Sequence, residues 1–197
     1  MRLFSQLTVV CIKQPLNTVI TDLNDTHFFD DSDKMTEIVI KDVYSYYCQK
    51  EGIRPVSFLF YEPQVSPNTT VFYTNSIDGL AGAIENRARQ LNWEMYYFNV
   101  HDNDGEYLNG YTFYGIHGNK ARYLLNYQDP KWTFYEEGEP LPFEDTERYK
   151  ERLKRKRVDK ELLLKYMRCA GWDLEDDRFW QPVGLVYRYD QIAPFGD

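Results

Sequence analysis

The 197 residues carry 31 acidic against 23 basic side chains, a net charge of −8, with hydrophobic residues at 43% and aromatic residues at 17%. That apolar content excludes a disordered chain, which lacks the surface needed to offset chain entropy, and the length suffices for a continuous core without disulfide or metal support. The acidic balance repels a phosphate backbone at long range, so a basic protein is the expected partner and nucleic acid is not.

Cys11, Cys48 and Cys169 lie far apart, with no Cys-x-x-Cys pair and no neighbouring His. They are expected to be buried thiols in a reducing, cytoplasmic compartment, without redox or metal duties. After Arg2, the first apolar run is broken by Ser5, Gln6 and Lys13, and no small-x-small cleavage signal follows. No signal peptide is expected, and no window approaches the roughly 18 apolar residues that a spanning helix needs. The sequons at Asn24 and Asn68 are then coincidental, because glycosylation requires secretion.

In chain order, residues 7–12 form a β-branched run of strand type, closed by Lys13-Gln14-Pro15, and residues 18–20 suggest a second short strand. Six acids from Asp22 to Glu37 surround Phe28 and Phe29. The plain reading is a solvated acidic loop, and the sharper one is a partner-facing surface with an aromatic anchor. Ile40, Val43, Tyr44 and Tyr47 follow helical spacing in residues 38–50. Residues 56–61 and 69–73 are strands, and Ser76 can cap a helix reaching Asn92 on the stripe Leu80, Ile84, Ala88 and Leu91.

Residues 93–100 read as a strand running into His101-Asp102-Asn103-Asp104-Gly105-Glu106. Alternate oxygen ligands resemble the opening of a calcium loop, but its twelfth position falls on Phe113 when Asp102 is the first, so a turn is expected and no metal or other cofactor. Residues 111–116 and 121–127 form a hairpin across Gly118-Asn119, and residues 131–135 add a strand.

The composition then changes. Acids from Glu136 to Glu147 precede seven cations between Arg148 and Arg157, which suits the two ends of a helix dipole, the alternative being that the basic run touches RNA or DNA, against the net acidity. Asp159 can cap a further helix carrying Leu162, Leu163, Tyr166 and Met167, with Gly171 as its stop and residues 183–189 as a closing strand. The expected fold is therefore α+β, a single domain with a mainly antiparallel or mixed sheet packed by helices. Residues 1–135 are its sheet-rich part, 136–182 its helical part and 183–189 the closing strand.

No catalytic motif accompanies His27, His101 and His117, and paired carboxylates are too numerous to single out a pair. The segments Thr74-Asn75-Ser76-Ile77-Asp78-Gly79, Tyr96-Tyr97-Phe98 and Trp132 to Glu144, with the helix from Leu162 to Trp172, resemble a group of small bacterial cytosolic proteins without an assigned activity. Some of these are similar to immunity proteins of polymorphic toxin systems. The resemblance implies a non-catalytic protein-binding module, an immunity-type inhibitor whose acidic, aromatic-bearing surface covers a basic toxin. It carries over no functional residues.

Charge and aromatic content pick out Phe29, Asp30, Asp31, Asp33, Trp132, Tyr135, Glu136, Glu137 and Glu139 as partner-binding candidates. Glu136, Glu137 and Glu139 have no evident structural duty in the sequence. The alternative is a small enzyme, a hydrolase or nucleotide-handling protein, with a pocket at the Ser76 helix start lined by His101 or His117.

Overall fold

The structure is a computed structural model that describes residues 6–26, 35–48, 56–74, 81–101, 110–118 and 120–191. Strand β1 (Gln6–Ile12) lies at the centre of a nine-stranded sheet. Its alternating residues enter two separate cores, Leu7, Val9 and Cys11 on one face and Val10 and Ile12 on the other. A strand buried on both faces reads as a continuous apolar run, as this one does.

The chain leaves β1 through helix α1 (Leu16–Asp25), forms the far edge strand β2 (Thr36–Ile38), passes through α2 (Val43–Cys48), and returns as β3 (Val56–Tyr61) and β4 (Thr70–Thr74). Helix α3 (Ala81–Gln90) carries it across β1 to β5 (Met95–His101), from which β6 (Gly110–His117), β7 (Lys120–Asp129) and β8 (Lys131–Glu137) step outward. After helix α4 (Lys160–Cys169), strand β9 (Val186–Gln191) inserts between β2 and β3. The order is β2-β9-β3-β4-β1-β5-β6-β7-β8, and every neighbouring pair is antiparallel, with no mixed pairing among the described strands.

Helices α1 and α3 cover one face through Leu16, Val19, Ile20 and Leu23 and through Ile84 and Ala88. The other face is covered by α2, α4 and the irregular segments around α4. There Trp180 is fully buried, edge-on to Tyr73 and Tyr44 with ring centroids 5.2 Å away in both cases, while its Nε1–H donates to the Leu174 carbonyl at 2.8 Å. Trp172 packs on Tyr96 at 5.3 Å. No helix among the described residues is long and apolar enough to cross a membrane.

Three expectations are corrected. The cysteines are not all buried thiols: Cys11 is buried in β1, while Cys169, the last residue of α4, is exposed. The run at residues 18–20 belongs to α1, because Leu16, Val19, Ile20 and Leu23 form one buried helical stripe that outweighs the local β-branched preference. The C-terminal third is not largely helical. Residues 136–182 hold one α-helix, α4, and three short 3₁₀ turns at Arg148–Lys150, Lys154–Lys156 and Asp177–Trp180. The stretch from Arg148 to Arg157 contains only Tyr149 and Leu153 as apolar residues, too little to hold a helix by packing. Tyr149 is buried from its 3₁₀ turn and Leu153 is left 48% exposed.

Helix α4 itself begins as its sequence dictates. Asp159 accepts from the Leu162 amide at 2.9 Å, and Gly171, at φ +109°, follows its end. The strands at 56–61, 69–73, 93–100, 111–116, 121–127 and 131–135 appear within one or two residues of their expected bounds. Gly118 makes the β6–β7 turn at φ +61°.

Candidate functional site

Strand β8 pairs only with β7 among the described strands, from Asp129↔Lys131 to Tyr123↔Glu137, and is the last strand of the sheet. Side-chain alternation splits its residues. Trp132, Phe134 and Glu136 share the face covered by α4, while Thr133, Tyr135 and Glu137 share the opposite face, which α1 and α3 cover nearer the centre of the sheet. Tyr127 and Tyr135 are accordingly 40% and 47% exposed. The Tyr135 hydroxyl donates to Glu137 Oε2.

Trp132 is half-buried and stacks on Tyr111 at 6.2 Å and 12°. Phe134 lies between the Tyr149 ring at 5.4 Å and the Arg157 guanidinium at 5.2 Å.

The end of β8 is tied down by a residue the sequence reading missed. Arg122 of β7 is 2% exposed and uses its guanidinium completely. Its Nε donates to both Glu144 oxygens at 3.0 Å, Nη2 to Glu144 and Glu136 at 2.7 Å, and Nη1 to the carbonyls of Glu137 and Gly138 at 3.3 and 3.0 Å. The Glu144 side chain is 0% exposed and also accepts from the Leu141 amide and the Tyr149 hydroxyl, each at 2.9 Å. Burial would lower the Arg122 pKa, and the hydrogen bonds and charges of Glu144 and Glu136 more than offset it, holding the guanidinium firmly charged. The signal available in the sequence was phase, since Arg122 and Asn126 alternate with Leu124 on the inward face of β7.

All three candidate glutamates therefore have partners: Glu136 binds Arg122, Glu137 binds Tyr135, and Glu139 binds Lys120 at 2.7 Å. Phe29, Asp30, Asp31, Asp33 and Ser76 lie outside the described residues. His101 and His117 are not brought together, because β5 and β6 run antiparallel with His101 paired to Gly110, seven positions along β6 from His117.

A cavity of about 240 Å³ opens beside this end of β8, between the β6–β7 turn and the bend that follows Glu139. Tyr96 and Gly115 form its floor, Pro140, Leu141 and Pro142 one wall, and His117, Lys120 and Glu139 its rim. The Tyr96 ring lies so close over Gly115 that a Cβ there would fall 2.8 Å from it. Behind the rim, Glu94 pairs with Lys13 Nζ at 2.5 Å and with His117 Nδ1 at 3.1 Å. Burial alone would raise the Glu94 carboxyl, and Lys13 and His117 more than offset it, so it is held below the usual range. With Nδ1 turned to Glu94, a neutral His117 presents Nε2 as an acceptor.

Burial, and after it the charge and hydrogen bond of Glu94, push Tyr96 up to about 12 from an ordinary value of 10.0. Burial likewise raises Tyr114 and Tyr149 well above that value. A phenol with a raised folded-state pKa contributes stability that is complete below its unfolded value and is lost as pH rises through the folded one. Urea midpoints are expected to begin falling near pH 9, where burial of the Cys11 thiol first enters, and to fall steeply from pH 10 towards pH 12, with tyrosinate absorbance appearing alongside unfolding. A midpoint that stays level across that window would contradict this linkage.

No protein-family model matches the chain, and neither a curated protein nor a solved structure matches it.

Proposed function

We propose that the protein is a non-catalytic binding module that holds a basic partner protein along β8, in the manner of an immunity-type inhibitor. The observation that carries this reading is the conjunction of a terminal sheet strand with two exposed tyrosines, Tyr127 and Tyr135, and a carboxylate-bearing end. A terminal strand offers backbone donors and acceptors that an extended segment can pair with, while side chains on one face supply selectivity. Tyrosines give large contact area at low entropic cost and are frequent interface anchors.

Carboxylates at the end of β8 favour a basic segment. The Glu139 and Lys120 side chains are 72% and 75% exposed, and such surface pairs contribute only about 0–1 kcal/mol. A partner Lys or Arg can take Glu139 over at little cost. Glu136 is different, because Arg122 needs it, and its part is to fix the strand end. The resemblance of residues 70–182 to bacterial proteins akin to immunity proteins points the same way.

The test is co-expression with the product of the neighbouring reading frame, followed by affinity capture. A stable complex is expected, weakened at least about tenfold by Tyr135→Ala combined with Glu137→Lys, as loss of an interface anchor predicts. No complex, or one indifferent to these exposed substitutions, contradicts the reading.

The cavity beside His117 favours a second reading, a small-ligand or enzymatic site in which His117, oriented by Glu94, faces a bound molecule over Tyr96. A substrate turned over by the protein and lost in His117→Ala would move the function there.

A further inference from the structure

The basic run near residue 150 has lost the explanation its sequence offered. It is not the end of an α-helix, so no helix dipole accounts for its charge. It instead ends just ahead of α4, whose first residue is Lys160, at the positive end of that helix, where cations are disfavoured.

Residues 151–157 form a pinned arch. Its two flanking arginines turn inward to hold backbone: Arg148 Nε donates to the Lys156 carbonyl at 3.2 Å, and Arg157 Nε to the Glu151 carbonyl at 2.8 Å. Arg148 also pairs with Asp159, and Val158 is fully buried behind the arch. Between these anchors Arg152, Lys154, Arg155 and Lys156 all point to solvent.

Among the described residues, ten Lys and Arg side chains form ion pairs with carboxylates, from Lys13 to Arg188. With 31 acids available, the four cations of the arch form none among the described residues. Among the described residues Lys41, Lys131 and Lys165 also lack a carboxylate partner, but the arch gathers four such cations within five consecutive positions. Lys154, Arg155 and Lys156 share one 3₁₀ turn, whose three residues per turn spread their charged ends in three directions.

We propose that this arch is a docking site for the phosphate backbone of a nucleic acid duplex. A protein hot spot and lasting membrane attachment both call for apolar groups beside the charge, and the arch exposes only Leu153. Phosphate recognition is dominated by charge, and Lys and Arg together provide point-charge and forked donors for it. The net charge of −8 limits affinity, so binding belongs to low and moderate salt.

The experiment is fluorescence anisotropy of the full chain with a labelled DNA duplex and a labelled RNA duplex across a salt series. Four phosphate contacts predict a slope of log K against log salt of about −3.6, or roughly a 100-fold loss between 50 and 200 mM salt. The variant Arg152→Gln/Lys154→Gln/Arg155→Gln/Lys156→Gln changes only exposed side chains and is expected to abolish both the binding and the slope. The control Lys41→Gln/Lys165→Gln, also exposed, is expected to bind as the unaltered chain does. Absence of binding at 50 mM salt, equal binding by the fourfold variant, or preference for polyglutamate or phosphatidylserine vesicles over both duplexes would overturn the proposal.

Discussion

Arg122→Met is expected to lower the free energy of unfolding by about 3–5 kcal/mol, the usual cost of removing one member of a buried ion pair. The reason is what stays behind. Glu144 is left without its counter-ion in a position with 0% side-chain exposure, and the carbonyls of Glu137 and Gly138 lose their shared donor. The Glu144 hydrogen bonds from Leu141 and Tyr149 cannot replace a counter-ion. Replacing both partners by apolar side chains, Arg122→Met with Glu144→Leu, is expected to recover part of the loss, since the uncompensated buried charge is then gone. Urea denaturation of both single variants and the double variant gives the coupling directly. A single variant within about 0.5 kcal/mol of the unaltered protein would show that the cluster is ornamental, since that is the range of surface substitutions.

Gly138→Ala is the second severe substitution. Gly138 sits at φ +88°, and a Cβ there would lie 2.0 Å from the Ala121 carbonyl oxygen and 3.2 Å from Arg122 Cα. Both neighbours are backbone of β7, so relief requires moving the strand that holds β8. The loss is expected to exceed about 3 kcal/mol, of which the left-handed conformation alone accounts for about 1–2. Gly184→Ala isolates the difference, because Gly184 has a similar φ of +83° with nothing within 4 Å of its would-be Cβ. Thermal melts should place Gly184→Ala a few degrees below the unaltered protein, the cost of the left-handed backbone alone, and Gly138→Ala well below both. Equal shifts would mean that the chain around Gly138 yields freely.

These two positions explain why part of the molecule was legible in the sequence and part was not. Strands such as Val56–Tyr61 and Met95–His101 announce themselves locally through β-branched and aromatic runs between turn residues. The cap at Asp159 and the stop at Gly171 are equally local. Where two local signals compete, burial decides, as in α1, whose stripe of Leu16, Val19, Ile20 and Leu23 overrides a strand-like run.

The C-terminal third misleads because alternating charge resembles helix ends, while helix formation needs an apolar stripe that residues 148–157 do not have. Pairing across distance is hidden altogether. Arg122 and Glu144 lie 22 positions apart, and nothing in the sequence selects that carboxylate from 31. The same blindness made Glu136, Glu137 and Glu139 look idle, although each has a partner in the fold. Tyr135 was legible as a candidate from its aromatic and acidic neighbourhood, and its 47% exposure keeps it available for contact.

The central claim, that β8 is the surface on which a protein partner rests, is tested most directly by amide hydrogen exchange on the co-expressed complex. The β8 amides that do not bond to β7 exchange through solvent in the free protein. The account predicts that they become protected together with those flanking Tyr127 when the partner binds, while exchange at α1 and α3 is unchanged. Protection confined to other surfaces, with β8 exchanging as it does in the free protein, would contradict it.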